Sequence, residues 1–195
     1  MLQNLQNLTI ALVTSSLLLA GLTVAVTNSK SFSVSDRLLH RRFIAENKTI
    51  PLKDLSHALA PKVDVVWCFI IAGVVALSGN WLLALWCLAT LGLADGAGVI
   101  IKYTIKRRRP YNHLPEEHGF SFPSGHVLGF TSLTLILLRL FGTSGLWLPI
   151  VLIIVWALLV KARLQLGAHY PADIVASILL AIACFSATSI VYLII

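Results

Sequence analysis

The stretch WLLALWCLATLGLADGAGVIIKYTIKRRRP occupies residues 81–110. Between Trp81 and Thr104 only Asp95 and Lys102 carry charge, and a run of that length matches the roughly 20 residues a helix needs to cross a hydrocarbon core. It ends on four consecutive cations, Lys106 to Arg109, followed by Pro110. This stretch reads as a membrane helix with a basic end.

Outward from it, apolar segments recur near 8–27, 63–79, 124–141, 145–166 and 172–194. With 81–104 these predict an all-α, integral-membrane bundle of six transmembrane helices, a single domain over residues 1–195, with its active site at one membrane face. Of the 195 residues, 57% are hydrophobic and 12% charged, against about a quarter charged in a soluble domain. That balance excludes a soluble enzyme. Residues 1–29 hold no Lys or Arg, so the first apolar run lacks the basic flank of a secretory signal and is expected to be a retained helix. Cys68, Cys87 and Cys184 fall inside apolar segments and read as packing residues, with neither a disulfide framework nor zinc spacing.

The turns 78–80 and 142–144 are short and predict antiparallel neighbours on one face. The segments 28–62, 106–123 and 167–171 lie on the other. Fourteen of the 15 Lys and Arg belong to that second face, Arg139 alone to the first. A net charge of +7 in that arrangement points to lipid headgroups or phosphate as partners and away from nucleic acid. Leu38, Leu39 and Phe43 beside Arg37, Arg41 and Arg42 suit either a helix lying in the headgroup plane or a solvated loop. Gly92 and Gly96, four residues apart, are expected to admit a close helix neighbour.

Three clusters on the basic face carry chemistry. In the first, Lys102 and Arg109 lie seven residues apart and share a helix face if the helix persists; alone, Lys106 to Arg109 reads as a basic flank. The second is Pro123-Ser124-Gly125-His126 at a helix start, where Gly125 lets an anion approach free backbone N–H groups, Ser124 adds a hydroxyl and His126 is placed as a general acid. Alone it reads as an N-cap serine with a headgroup-level histidine. The third runs from Arg163 through His169 to Asp173. Asp173, four residues after His169, is expected to accept from one imidazole nitrogen and leave the other nucleophilic, itself balanced by His169 or Arg163. Asp95 reads as a polar packing contact, or as a residue that balances Lys102 or helps orient a bound headgroup. Glu116 and Glu117 read as solvated loop residues.

In order, these clusters resemble the three signature motifs of the phosphatidic acid phosphatase type 2 superfamily: K-x6-R-P at Lys102, Arg109 and Pro110, P-S-G-H at 123–126, and S-R-x5-H-x3-D at Arg163, His169 and Asp173. Ala162 stands where that pattern has serine, for which altered rate or selectivity is expected. The resemblance implies a lipid phosphatase in which His169 forms a phosphohistidine, Asp173 holds its tautomer, and His126 protonates the leaving oxygen. Lys102, Arg109, Ser124, Gly125 and Arg163 would bind the phosphate. No metal or other cofactor is implied, and no carboxylate cluster suits Mg²⁺. The expected substrate is a lipid phosphate or pyrophosphate, first undecaprenyl pyrophosphate, then phosphatidylglycerophosphate or phosphatidic acid. Its setting would be a bacterial plasma membrane. The positive-inside rule places the basic face in the cytoplasm, whereas the resemblance implies an extracytoplasmic active site; phosphate binding accounts for several of the cations, so the second is expected. Competing readings are a lipid-to-lipid phosphotransferase, a vanadium haloperoxidase-like oxidoreductase, which six spans disfavour, and a non-catalytic lipid binder.

Overall fold

The computed structural model describes residues 2–44, 50–110, 119–142 and 145–195. Among these, every regular element is a helix: α1 (Leu2–Asn28), α2 (Lys30–Arg41), α3 (Ile50–Ala58), α4 (Pro61–Leu77), α5 (Trp81–Ile105), α6 (Gly125–Phe141), α7 (Trp147–Gln165) and α8 (Pro171–Ile194). The helices α1, α5, α7 and α8 are long and apolar enough to cross a membrane. The apolar segments assigned to α4 and α6 are helical but 17 residues each, a rise of about 25 Å against a core of about 30 Å. By length and composition four of the described helices qualify as crossings, and the expected six would require α4 and α6 as well. Glu116, Glu117 and the turn residues 143 and 144 lie outside the described residues.

The centre of the bundle is α8, which packs against α1, α5 and α6. Its buried side chains are mostly small, among them Ala172, Ala176, Ser177, Ala181 and Ala183, and small residues let helix backbones approach where water supplies no driving force. Cross-helix hydrogen bonds add register. Thr90 Oγ1 on α5 lies 2.7 Å from Thr188 Oγ1 on α8, and Trp156 Nε1 on α7 donates to Thr131 Oγ1 on α6 at 2.9 Å.

The close approach expected at Gly92 and Gly96 is elsewhere. A Cβ at either position would meet nothing within 4 Å, whereas one on Gly98 would lie 2.5 Å from Leu128 Cδ2. These glycines lie on different stripes of α5, and only the Gly98 stripe faces α6. A second tight contact joins α4 to α6, where a Cβ on Gly129 would lie 2.5 Å from Oδ2 of the buried Asp64. Gly129→Ala is expected to destabilise the protein by about 1–3 kcal/mol through overpacking. Gly92→Ala should cost nothing. Melting temperatures of the two variants in detergent check this, and equal values would contradict the α4–α6 contact.

The segment near Leu38, which left a headgroup-plane helix and a solvated loop open, is the helix α2. Its Ser29 N-cap accepts from Phe32 N at 3.2 Å. It buries Asp36 and His40 against the bundle and leaves Val34, Leu38 and Leu39 exposed. The C-terminal ends of α1, α5 and α7 and the N-terminal ends of α4, α6 and α8 meet at this end of the bundle.

Candidate active site

The first cluster is split by a helix end. Lys106 adopts a left-handed conformation at φ 52, uncommon for a residue bearing a Cβ, and its N–H returns to Lys102 O at 3.0 Å. Lys102 and Arg109 therefore do not share the face of one continuous helix. Lys102 stays on α5, with Nζ 3.8 Å from the position a Gly125 Cβ would take. Arg109 folds back over the bundle, and its Nη1 donates to Ala168 O at 2.8 Å and lies 3.3 Å from His169 Nε2. The first cluster thus meets the second through Lys102 and, after the turn at Lys106, the third through Arg109.

His169 is buried, and its Nδ1 lies 2.8 Å from the carbonyl oxygen of Ser121. A carbonyl only accepts, so Nδ1 carries the proton and Nε2 presents a lone pair toward Arg109. Asp173 was expected to supply that acceptor. Its Oδ2 lies 3.6 Å from Nδ1, beyond hydrogen-bond reach, because the carboxylate is engaged elsewhere: Oδ2 accepts from Tyr170 N at 2.8 Å, capping α8, and Oδ1 accepts from Arg107 Nη1 at 2.6 Å. The acceptor that Nδ1 faces is thus a backbone carbonyl and not the Asp173 carboxylate. Arg107 balances the Asp173 carboxylate.

Arg107 looked like part of a basic flank and is instead the centre of a buried network. Its Nη2 meets Asp36 Oδ2 at 2.6 Å, while Asp36 Oδ1 accepts from Ala172 N at 3.1 Å. The guanidinium lies 4.3 Å from the centre of the Tyr170 ring, a cation–π contact. Burial opposes its charge, but Asp173 and Asp36 outweigh that and hold its pKa above the ordinary value. Burial likewise pushes the Tyr170 phenol up. Asp36 had no signal in the sequence beyond being a lone carboxylate in a basic amphipathic stretch.

Ser124 is the N-cap of α6, and Pro123 precedes it, one residue outside the helix and not just inside its start. Ser124 N donates to Ser177 Oγ at 2.8 Å, and that hydroxyl shares its proton between Ser124 O at 2.9 Å and Asp173 O at 2.8 Å. Ser177 thereby ties the second cluster to the third. The Ser124 Oγ itself is buried, makes no capping bond and has no hydrogen-bond partner, an arrangement that costs about 1–3 kcal/mol unless a ligand completes it. Ser124→Ala is expected to leave the melting temperature unchanged or raised while lowering kcat/KM about 10- to 100-fold. A matched fall in stability would mark it as structural only.

Arg163 is fully buried near the end of α7, and its Nη1 donates to Ser56 Oγ of α3 at 2.6 Å. Ala162, beside it, is fully buried. Gly125 and His126 are the first two residues of α6, His126 half-buried; first-turn N–H groups have no partner within their own helix and suit an anion. Asp95 lies on α5 two turns below Lys102. Among the described residues no three His, Cys, Asp or Glu cluster as metal ligands would. Arg109 lies against the imidazole lone pair and Lys102 against the N-terminus of α6, beside which Ser124 buries its unpartnered hydroxyl; cations, hydroxyls and helix N-termini are groups that suit an oxyanion.

Among solved structures, a crystal structure of a transmembrane PAP2 type phosphatidylglycerolphosphate phosphatase from Bacillus subtilis superposes with a TM-score of 0.77 at 20% identity, covering 91% of this chain and 93% of that one. That likeness establishes the fold. Decaprenylphosphoryl-5-phosphoribose phosphatase of Mycobacterium tuberculosis is 33% identical over 102 residues, 49% of this chain and 54% of that protein. Phosphatidylglycerophosphatase B of Escherichia coli is 37% identical over 70 residues, 35% and 28% of the two chains. Undecaprenyl-diphosphatase of Sulfolobus acidocaldarius is 33% identical over 90 residues, 43% and 42%. The chain spans about half the length, or less, of these curated relatives. Residues 81–193, which hold all three clusters, match the profile of the PAP2 superfamily, and this integral-membrane chain belongs to that family.

Proposed function

We propose that the protein is a lipid phosphatase that removes the terminal phosphate of a lipid phosphate or pyrophosphate through a phosphohistidine. The observation that carries the proposal is the pairing at His169: Nδ1 committed to Ser121 O at 2.8 Å and Nε2 facing Arg109 at 3.3 Å. His169 Nε2 forms a bond to phosphorus as the P–O bond to the lipid breaks, and His126 gives its proton to the departing oxygen. Lys102, Arg109 and Arg163, with Ser124 Oγ and the Gly125 N–H, hold the non-bridging oxygens as charge shifts across them. Water then attacks the phosphohistidine, losing its proton to His126 and releasing phosphate. Asp173 acts through Arg107 and the α8 N-terminus to keep His169 in place. No divalent cation takes part.

The proposal treats residues 1–195 as one domain of six crossings, α4 and α6 completing the set, in a bacterial plasma membrane with the active site on the extracytoplasmic face. Undecaprenyl pyrophosphate is the first substrate, followed by phosphatidylglycerophosphate and phosphatidic acid. Support comes from the relatives, whose names all describe phosphatases of lipid-linked phosphates, and from the position of the site at a bundle end, where an amphiphile reaches it from the bilayer.

The test is phosphate release from these three lipids by purified protein with EDTA present, repeated on sealed right-side-out vesicles. Release that persists in the chelator and from lipid supplied outside is expected. Loss of activity in EDTA would sink the metal-free mechanism, and release only after permeabilisation would reverse the orientation. Phosphate appearing only in a second lipid would make the protein a phosphotransferase.

A further inference from the structure

Between the end of α1, the helix α2 and the segment after α5 lies a cavity of about 190 Å³, lined by Val26, Ser33, Arg37, Arg107, Arg108 and Tyr170. None of the residues proposed to hold the transferred phosphoryl group lines it. Half of its lining residues are arginines, and they are not equivalent. Arg107 has its two Nη groups on Asp36 and Asp173, so its charge is balanced. Arg37 and Arg108 are exposed and form no ion pair among the described residues. With Arg107 and its two carboxylates counted, the three guanidinium groups leave a net positive charge at this cavity, carried by Arg37 and Arg108. An anion seated there would balance that charge and accept planar, paired hydrogen bonds of the kind guanidinium groups make with phosphate.

The surroundings say which anion. Val26 closes the inner wall, and beside the cavity α2 turns Val34, Leu38 and Leu39 outward, with Phe43 just beyond its end. A ligand with charge at Arg37 and Arg108 and hydrocarbon beside those side chains matches both surfaces, and an anionic bilayer supplies one at every contact.

We propose that this cavity binds the phosphate of an anionic phospholipid from the surrounding leaflet, a phosphodiester such as phosphatidylglycerol, with Arg37 and Arg108 as the binding side chains. Such a lipid is held and not cleaved. With it in place α2 stays seated, and α2 carries Asp36, which fixes the outer side of Arg107 while Arg107 fixes Asp173. The site depends on the membrane setting of the chain and not on the phosphatase reading.

Native mass spectrometry from a neutral detergent, titrating phosphatidylglycerol, tests this on the full chain. The wild type and the Lys102→Gln variant are expected to retain the lipid with equal affinity, while Arg37→Gln/Arg108→Gln raises the apparent Kd about tenfold or more and keeps its helical circular dichroism. Equal retention of phosphatidylcholine would overturn recognition by net charge. Displacement of the lipid by inorganic phosphate at matching concentration would make free phosphate the ligand and overturn the lipid. Loss of binding in Lys102→Gln with no effect of Arg37→Gln/Arg108→Gln would put the lipid in the catalytic cleft instead. Because this readout needs no turnover, its failure and a failure of phosphate release are separate results.

Discussion

His169→Ala is expected to lower lipid phosphate hydrolysis by about 10⁴-fold or more, leaving the residual rate that positioning and charge alone supply. The size follows from its place in the site. His169 presents a neutral imidazole lone pair because Nδ1 keeps its proton and donates it to Ser121 O. His169→Gln preserves a donor toward Ser121 and should be as inactive, so loss of the hydrogen bond is not the cause. Trapping with radiolabelled substrate and an alkaline quench should show an alkali-stable, acid-labile phosphoprotein in the wild type and none in either variant. Wild-type levels of the labelled species in His169→Gln would remove His169 as the nucleophile.

Arg107→Leu carries the largest expected effect on stability. The side chain joins Asp36 and Asp173, both at 2.6 Å, and its removal leaves two buried carboxylates without their cation. Breaking a buried pair in this way costs about 3–5 kcal/mol, read as a large fall in melting temperature and in the yield of folded protein from detergent. Arg107→Lys restores charge but not the two-pronged geometry, and should recover only part of the loss. Adding Asp36→Asn to Arg107→Leu removes one of the stranded charges and should raise stability above that of the single variant. A double variant no better than Arg107→Leu would mean that Asp36 and Arg107 do not interact energetically.

The membrane class and the three clusters were legible without coordinates because both are written in side-chain type and spacing. Long apolar runs report bilayer crossing directly, and Lys102, Arg109, Ser124, Gly125, His126, Arg163, His169 and Asp173 stand at the spacings the family resemblance uses. Less of the architecture was legible. The 17-residue lengths of α4 and α6 depend on where their N-termini stop beneath the basic face, and hydropathy does not resolve that. The glycine pair at 92 and 96 had the spacing of a helix contact, yet the stripe of α5 that meets α6 carries Gly98. Spacing identifies which residues share a face; only packing decides which face is covered.

Side-chain type and spacing alone mark the chain as a helical membrane protein with its cations gathered at one end and three motifs of the PAP2 pattern among them. The tertiary structure decided how those motifs connect. A single left-handed residue, Lys106, sends Arg107 to the carboxylates and Arg109 to His169, a choice among adjacent cations that no spacing rule contains. The group that orients His169 is the main-chain carbonyl of Ser121, and every residue in the chain has such a carbonyl. Its role exists only because the turn before α6 folds against the start of α8, which is a property of position and not of residue type.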